Sequence, residues 1–191
     1  MTRRAGLLWD TPLVFKRLVE DSGVTCELVT PHLLAAPFFR GSFVTLIVPT
    51  GFANRKYSCL LPALKAASGR INSFLEKGGR MLVYGAGDDR PDSYEWLPFT
   101  VSYRQEYASC KLAAEGEGDR MKLLEGFENG KVDCDGWFPE HDGETLLACD
   151  GRAVCIRVEV GNGVVFLTSI HEYPSRCFLS SFCEAGHETL F

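Results

Sequence analysis

The chain has 191 residues, 46% of them hydrophobic and 24% charged, and a formal net charge of −5. These values describe one ordinary globular domain. A net negative chain without a Lys/Arg stripe excludes nucleic acid as the default partner. No run approaches the ~18 apolar residues of a membrane helix, so no membrane partner is expected.

The first residues, Met1 to Pro12, lack the long apolar core of a signal peptide, so the expected location is cytoplasmic. In that compartment the eight cysteines, Cys26, Cys59, Cys110, Cys134, Cys149, Cys155, Cys177 and Cys183, are expected to be thiols. None form a C-x-x-C pair, which removes the main support for a zinc ribbon or a thioredoxin-type site.

Ala5 to Trp9 is a first apolar run and reads as a central strand. Asp10-Thr11-Pro12 reads as a helix start, with Thr11 as cap and Pro12 at the first helical position. Phe15, Leu18 and Val19 form the apolar face of that helix, and Gly23 ends it. Val24 to Val29 is a second strand, and Thr30-Pro31 opens a short turn or helix. Phe43 to Val48 is a third strand, apolar enough to be buried on both faces. Leu64, Ala67, Ile71, Phe74 and Leu75 recur at helical spacing.

The stretch Lys77 to Pro91 organises the chain. Gly78 and Gly79 close the helix, Met81 to Tyr84 form a buried strand, and Gly85-Ala86-Gly87 is a sharp turn followed by Asp88 and Asp89. In parallel sheets, ligands and chemistry gather at the carboxyl ends of strands, and glycine turns let the backbone approach them. This turn carries no Ser, Cys or Thr.

Residues 92–130 are less regular, with short strands expected around Phe99 to Tyr103 and Ser109 to Ala114, and a solvated acidic turn at Glu115 to Asp119. Thr145 to Cys149, Ala153 to Val160 and Val164 to Ser169 read as strands joined by Asp150-Gly151 and Gly161-Asn162-Gly163 turns. A last helix is expected from about Pro174 to Cys183. Alternating strands and helices predict an α/β domain spanning 1–191, with a doubly wound, mostly parallel sheet. An antiparallel C-terminal hairpin is added to it.

Several side-chain groups carry chemistry by type. Asp88, Asp89, Asp92 and Glu95 suit a hard cation, but the spacing matches no metal loop and a solvated surface is favoured. His171, Cys177, Cys183 and His187 are zinc-type ligands, yet a helix would put Cys177 and Cys183 on nearly opposite faces. No metal and no cofactor are expected. Cys59 could approach the glycine turn from the side, although a packed, helix-leading cysteine is the simpler reading. Trp96, Phe99, Tyr103, Tyr107, Trp137 and Phe138 would wall a pocket or, more simply, form a second hydrophobic layer.

Three segments carry a family resemblance: LIVPTGF (Leu46 to Phe52), INSFLEKGGRMLVYGAGDD (Ile71 to Asp89) and AVCIRVEVGNGVVFLTSIHEYPS (Ala153 to Ser175). They resemble class I glutamine amidotransferase-like domains, which have a flavodoxin-like α/β fold. Within that group the likeness is greatest to the amidotransferase-like module at the N-terminus of some biotin-protein ligases. It covers Leu7 to Arg90 and Glu144 to Phe178, with a poor match between them. Active members place a nucleophilic Cys on the elbow after the strand, a His after the last strand, and an acid two residues beyond. Those positions fall on Gly85, His171 and Tyr173, with Glu172 one step early.

Glutamine hydrolysis needs a thiolate to form its acyl intermediate, and glycine supplies no such atom. The resemblance therefore implies a pseudoenzyme. Its oxyanion-binding amides would lie near Ala86 and Gly51. Asp88 and Asp89 would suit the dipole of a following helix and compete with an anionic ligand there.

The leading expectation is a non-catalytic amidotransferase-like domain. It would bind a small molecule or a protein in the crevice formed by Gly51, Phe52, Gly85, Ala86, Gly87, Asp88 and His171. One rival is a hydrolase or transferase using His171 as general base on an activated water, with Glu172 or Asp88 beside it. Another is a structural module that forms a homo-oligomer.

Overall fold

The computed structural model describes residues 3–112, 123 and 131–191. Its centre is a seven-stranded sheet in the order β2-β1-β4-β5-β10-β9-β8. The strands are β1 (Arg4–Leu8), β2 (Thr25–Val29), β4 (Thr45–Val48), β5 (Arg80–Tyr84), β8 (Glu144–Cys149), β9 (Arg152–Val160) and β10 (Gly163–Thr168). Every neighbour pair from β2 to β10 is parallel, and β10-β9 and β9-β8 are antiparallel. This is an α/β fold with a mostly parallel sheet.

Alternation along each central strand sends side chains to opposite faces. On one face Leu8, Leu46, Val48, Met81, Val83, Val165 and Leu167 pack against α3 (Leu60–Ala66) and α4 (Ser68–Glu76). On the other, Leu7, Ile47, Leu82, Tyr84 and Phe166 meet Phe15 and Val19 of α1 (Val14–Asp21). A further helix, α5 (Arg176–Glu184), adds Phe178 and Phe182 there. Thr45 to Val48 is buried throughout, as a strand covered on both faces requires.

The short α2 (Pro31–Ala35) starts as its sequence predicts. Pro31 is at the first position, and the Thr30 hydroxyl accepts from Leu33 N. Ser175 caps α5 in the same way, accepting from Phe178 N at 3.0 Å.

Four expectations are corrected. The first helix begins at Val14, not at Thr11-Pro12, and Leu13 stands at its cap without a side-chain bond. The cause lies in Asp10. Its carboxylate accepts from Ser58 Oγ at 2.5 Å and from Cys59 N at 3.1 Å, so it satisfies an orphan amide at the start of α3. Residues 9–13 are thereby drawn out as a loop. The expected third strand is divided at Val44. Ser42–Phe43 forms β3 and pairs with β11 (Thr189–Leu190), leaving β4 in the main sheet. The long helix through Leu75 is two helices, because Ala67 leaves helical geometry just before Gly69.

The fourth correction concerns the middle of the chain. Phe99 to Tyr103 is not a strand and contributes only the single bridge Val101–His141. The second expected strand is found earlier, as β6 (Arg104–Lys111). Its partner is β7 (Lys131–Trp137), an element with no counterpart in the sequence reading. The expected acidic turn at Glu115 to Asp119 lies outside the described residues. Cys110 and Cys149 are joined as a disulfide with Cα atoms 5.9 Å apart, so these two are not thiols. The pairing links β6 to β8, a contact that sequence spacing does not reveal. Among the described residues, no helix is long and apolar enough to cross a membrane.

Candidate functional site

The carboxyl ends of β4, β5 and β10 converge as the parallel register requires, and two loops meet there first. Gly51, after β4, donates its amide to Gly85 O at 2.8 Å, and Ala53 N donates to Ala86 O at 3.0 Å. The Asn54 side chain adds a bond to Gly87 O at 3.0 Å. Gly51 and Gly87 both have positive φ, +82° and +70°, and a Cβ on Gly87 would lie 2.6 Å from the Gly51 Cα. Only glycine allows this approach. The lock corrects one expectation: the Gly51 amide is already spent on Gly85 O and does not wait for an oxyanion.

The elbow is also filled. A Cβ built on Gly85 would lie 2.8 Å from the phenol oxygen of Tyr103. That ring is wedged beside Tyr94 and Phe138, with centroids 6.0 and 5.6 Å away, and Tyr103 is only 8% exposed. Its hydroxyl has no hydrogen-bond partner among the described residues. Burial, helped by the carboxylates of Asp135 and Asp89, pushes this phenol well above its ordinary range, so it remains protonated and is no nucleophile.

The second half of the site is built by β7. Its backbone runs beside the residues after β10: Asp135 N donates to Ser169 O, His171 N donates to Asp133 O, and Cys134 bridges Ile170. Strand alternation buries Val132, Cys134 and Gly136 and turns Asp133 and Asp135 the other way. His171 Nδ1 thus meets the Asp135 carboxylate at 3.1 and 3.2 Å. A carboxylate only accepts, so Nδ1 carries the proton and Nε2 is the second ring nitrogen. Thr50 Oγ1 lies 3.1 Å from Asp135 Oδ2 and 3.3 Å from Gly85 O, tying the acid to the elbow.

The hydrogen bond and charge of Asp135 raise the His171 pKa above its ordinary value, with smaller contributions from Glu172 and Asp133. Glu172 is therefore not the orienting acid. Both its oxygens accept from Asp133 N, at 3.0 and 3.2 Å, and hold β7 in place. Asp135 is the candidate-site residue that the sequence reading missed. Its nearest sequence signal is the Asp-Cys-Asp alternation at 133–135, which marks a strand with a carboxylate face. Burial pushes the Cys134 thiol up to about 12, so this cysteine supplies no thiolate at neutral pH.

Between the two halves is a cavity of about 380 Å³. Trp9, Phe15, Tyr57, Tyr84 and Tyr173 wall it, and Thr50, Gln105, Asp135 and His171 supply its polar groups. Trp9 belongs to the loop released by the Asp10 bonds. Tyr173, where the sequence resemblance leads to the expectation of an acid, packs against Phe15 with tilted rings whose centroids are 4.6 Å apart. Its volume falls within the range that small-molecule pockets span, and its lining is mostly apolar with a few polar groups.

Of the residues expected in the crevice, Gly51, Gly87 and His171 line this cavity. Phe52 does not. It is wholly buried and packs edge-on against Tyr94 and Trp96. Gly85 and Ala86 are buried behind the lock and outside the lining, and their carbonyls accept from Gly51 N and Ala53 N. Asp88 is half-buried and outside the lining.

The other candidates separate. Asp92 is held by Arg90 and Lys65, which keep its carboxyl down at about 2, and Asp89 accepts from Gln105 N. Among the described residues no group of three or more His, Cys, Asp or Glu could hold a metal, which removes both the acidic and the zinc-type constellations. Cys59 faces a different groove, with Asp10, His32 and Pro62, and does not reach the elbow. Trp96, Tyr103 and Phe138 are core, and Tyr107 is exposed.

No family model matches the chain, and no curated protein matches it. Solved structures do resemble it. A protein assigned as a GMP synthase component from Thermoplasma acidophilum superposes with a TM-score of 0.62 at 10% identity, over 97% of this chain and 94% of that one. A cytoplasmic protein from Salmonella typhimurium LT2 gives 0.56 at 10% identity, over 95% and 96%. A β-galactosidase from Bacillus circulans gives 0.58 at 11% identity, over 95% of this chain but 31% of that one. At these identities the likeness shows the fold alone, an α/β arrangement with a mostly parallel sheet.

Proposed function

We propose that this chain is a nucleophile-less amidotransferase-like domain that binds a small molecule in the cavity between its glycine elbow and His171. The observation that carries this reading is Tyr103. Its protonated phenol fills the space beside Gly85 where a nucleophilic side chain would stand, while the cavity next to it is kept open. A site with an orienting pair and no attacking atom can bind and polarise, but it cannot form an acyl-enzyme. The relation to the amidotransferase-like module of biotin-protein ligases belongs to the same reading and rests on the three sequence segments. The expected result is that purified protein releases no ammonia from glutamine above the buffer rate. Sustained turnover would overturn the proposal.

A second reading has one specific observation behind it. Asp135 at Nδ1 orients His171 as it would orient a general base acting through Nε2 on a bound water. If the chain hydrolyses activated esters, His171→Ala and Asp135→Asn should both abolish the activity. Equal rates in wild type and both variants would eliminate this reading.

A further inference from the structure

The charge and walls of the cavity say more about its ligand than its size does. This inference rests on the binding-domain reading above. Asp135 presents a partly buried carboxylate to the cavity, and no Lys or Arg is among its described lining residues. Lys65 and Arg90 hold Asp92, and Arg152 holds Glu106. Carboxylates of Asp133 and Glu172 stand behind His171, and Asp89 adds to the field at Tyr103. Carboxylates thus gather at the strand ends, and an anionic ligand would have only Thr50, Gln105 and the His171 ring as donors against them.

The walls have the complementary property. The aromatic residues Trp9, Tyr57 and Tyr173 are in the lining, Trp9 buried and the two tyrosines exposed, and the faces of such rings attract a cation. A carboxylate and aromatic rings lining one cavity are the two elements that recognise an organic ammonium group. Asp135 accepts from Thr50 and His171 and still has lone pairs to spare, since a carboxylate offers about four acceptor positions.

We propose that the ligand of this cavity is a small organic cation, an amine or quaternary ammonium carrying an apolar or ring portion. Its charge is held over Asp135 and its body lies between Trp9, Tyr57 and Tyr173. This ligand class also fits a described lining without Lys or Arg, either of which would repel it.

The test uses three probes of similar size on the full chain: benzyltrimethylammonium, benzyl alcohol and benzoate. Binding is read by calorimetry and by tryptophan fluorescence. The cation should bind about tenfold or more tighter than either other probe. Asp135→Asn, which keeps the side-chain shape, should remove that preference. Tyr57→Ala, at a residue 67% exposed and so not needed for folding, should weaken the cation several-fold. Tighter binding of benzyl alcohol or benzoate would overturn the cation assignment while leaving a binding cavity. No binding by any probe would overturn it too. An unchanged cation preference in Asp135→Asn would show that this carboxylate is not the anchor and would also overturn it.

Discussion

The two ends of the strand-end crevice have opposite designs. At the elbow, Gly51 and Gly87 touch backbone to backbone, the Gly51 and Ala53 amides are spent on the Gly85 and Ala86 carbonyls, and Tyr103 fills the space beside Gly85. At the histidine end, an Asp–His pair is complete, more than half of the His171 side chain is exposed, and open volume lies beside it. The first end is closed by packing and the second is held open by hydrogen bonds. On the function proposed above, the open end would bind and the packed end would carry no attacking atom.

The contrast can be broken most severely at the lock. Gly87→Val places a branched side chain where φ is +70° and the Gly51 backbone is 2.6 Å from the new Cβ. Urea unfolding should show a loss of about 3 kcal/mol or more. Gly85→Cys tests the filled seat. Its Cβ must displace the Tyr103 phenol, which Tyr94 and Phe138 hold, at a cost of about 2 kcal/mol, and no glutamine turnover should appear. In the double variant with Tyr103→Phe, the phenol oxygen is gone. The combined loss should then fall short of the sum of the singles by about 1 kcal/mol. Tyr103→Phe alone deletes a buried hydroxyl without a partner, so it should be neutral or stabilising, within about 1 kcal/mol.

The smallest effect is at the open end. His171 has a folded pKa raised by Asp135, so its protonation favours the folded state. That stability is fully present below the unfolded value of about 6.5 and is lost as pH rises through the folded pKa. Because His171 is mostly exposed, solvent screening reduces it to about 0.5 kcal/mol or less. Ring-proton NMR should show His171 titrating above the ordinary range in wild type and returning toward it in Asp135→Asn.

Much of this architecture can be read in the sequence, and for simple reasons. Thr45 to Val48 and Met81 to Tyr84 are short, continuous apolar runs because both faces of their strands are covered. Gly85-Ala86-Gly87 and His171 stand where a strand ends and the chain turns. The site itself was half hidden. Asp135 reaches His171 from 36 residues away, and acidic residues alternating with small or apolar ones look like solvated surface until the neighbour of the strand is known. Tyr103 is equally mute, since an aromatic residue in an irregular stretch carries no sign of which backbone it will pack against. The displaced start of α1 has the same origin: Thr11-Pro12 is a good local start signal, and a long-range bond from Asp10 to the head of α3 overrides it.

The most direct test of a binding cavity at the open end is a fragment screen by amide and ring NMR on the labelled full chain, with no assumption about ligand class. We expect bound fragments to perturb Trp9, Thr50, Tyr57 and His171 together, and to lose that response in a Trp9→Ala variant. Fragments that collect in the groove of Asp10, His32 and Cys59 instead, with His171 unmoved, would contradict the account.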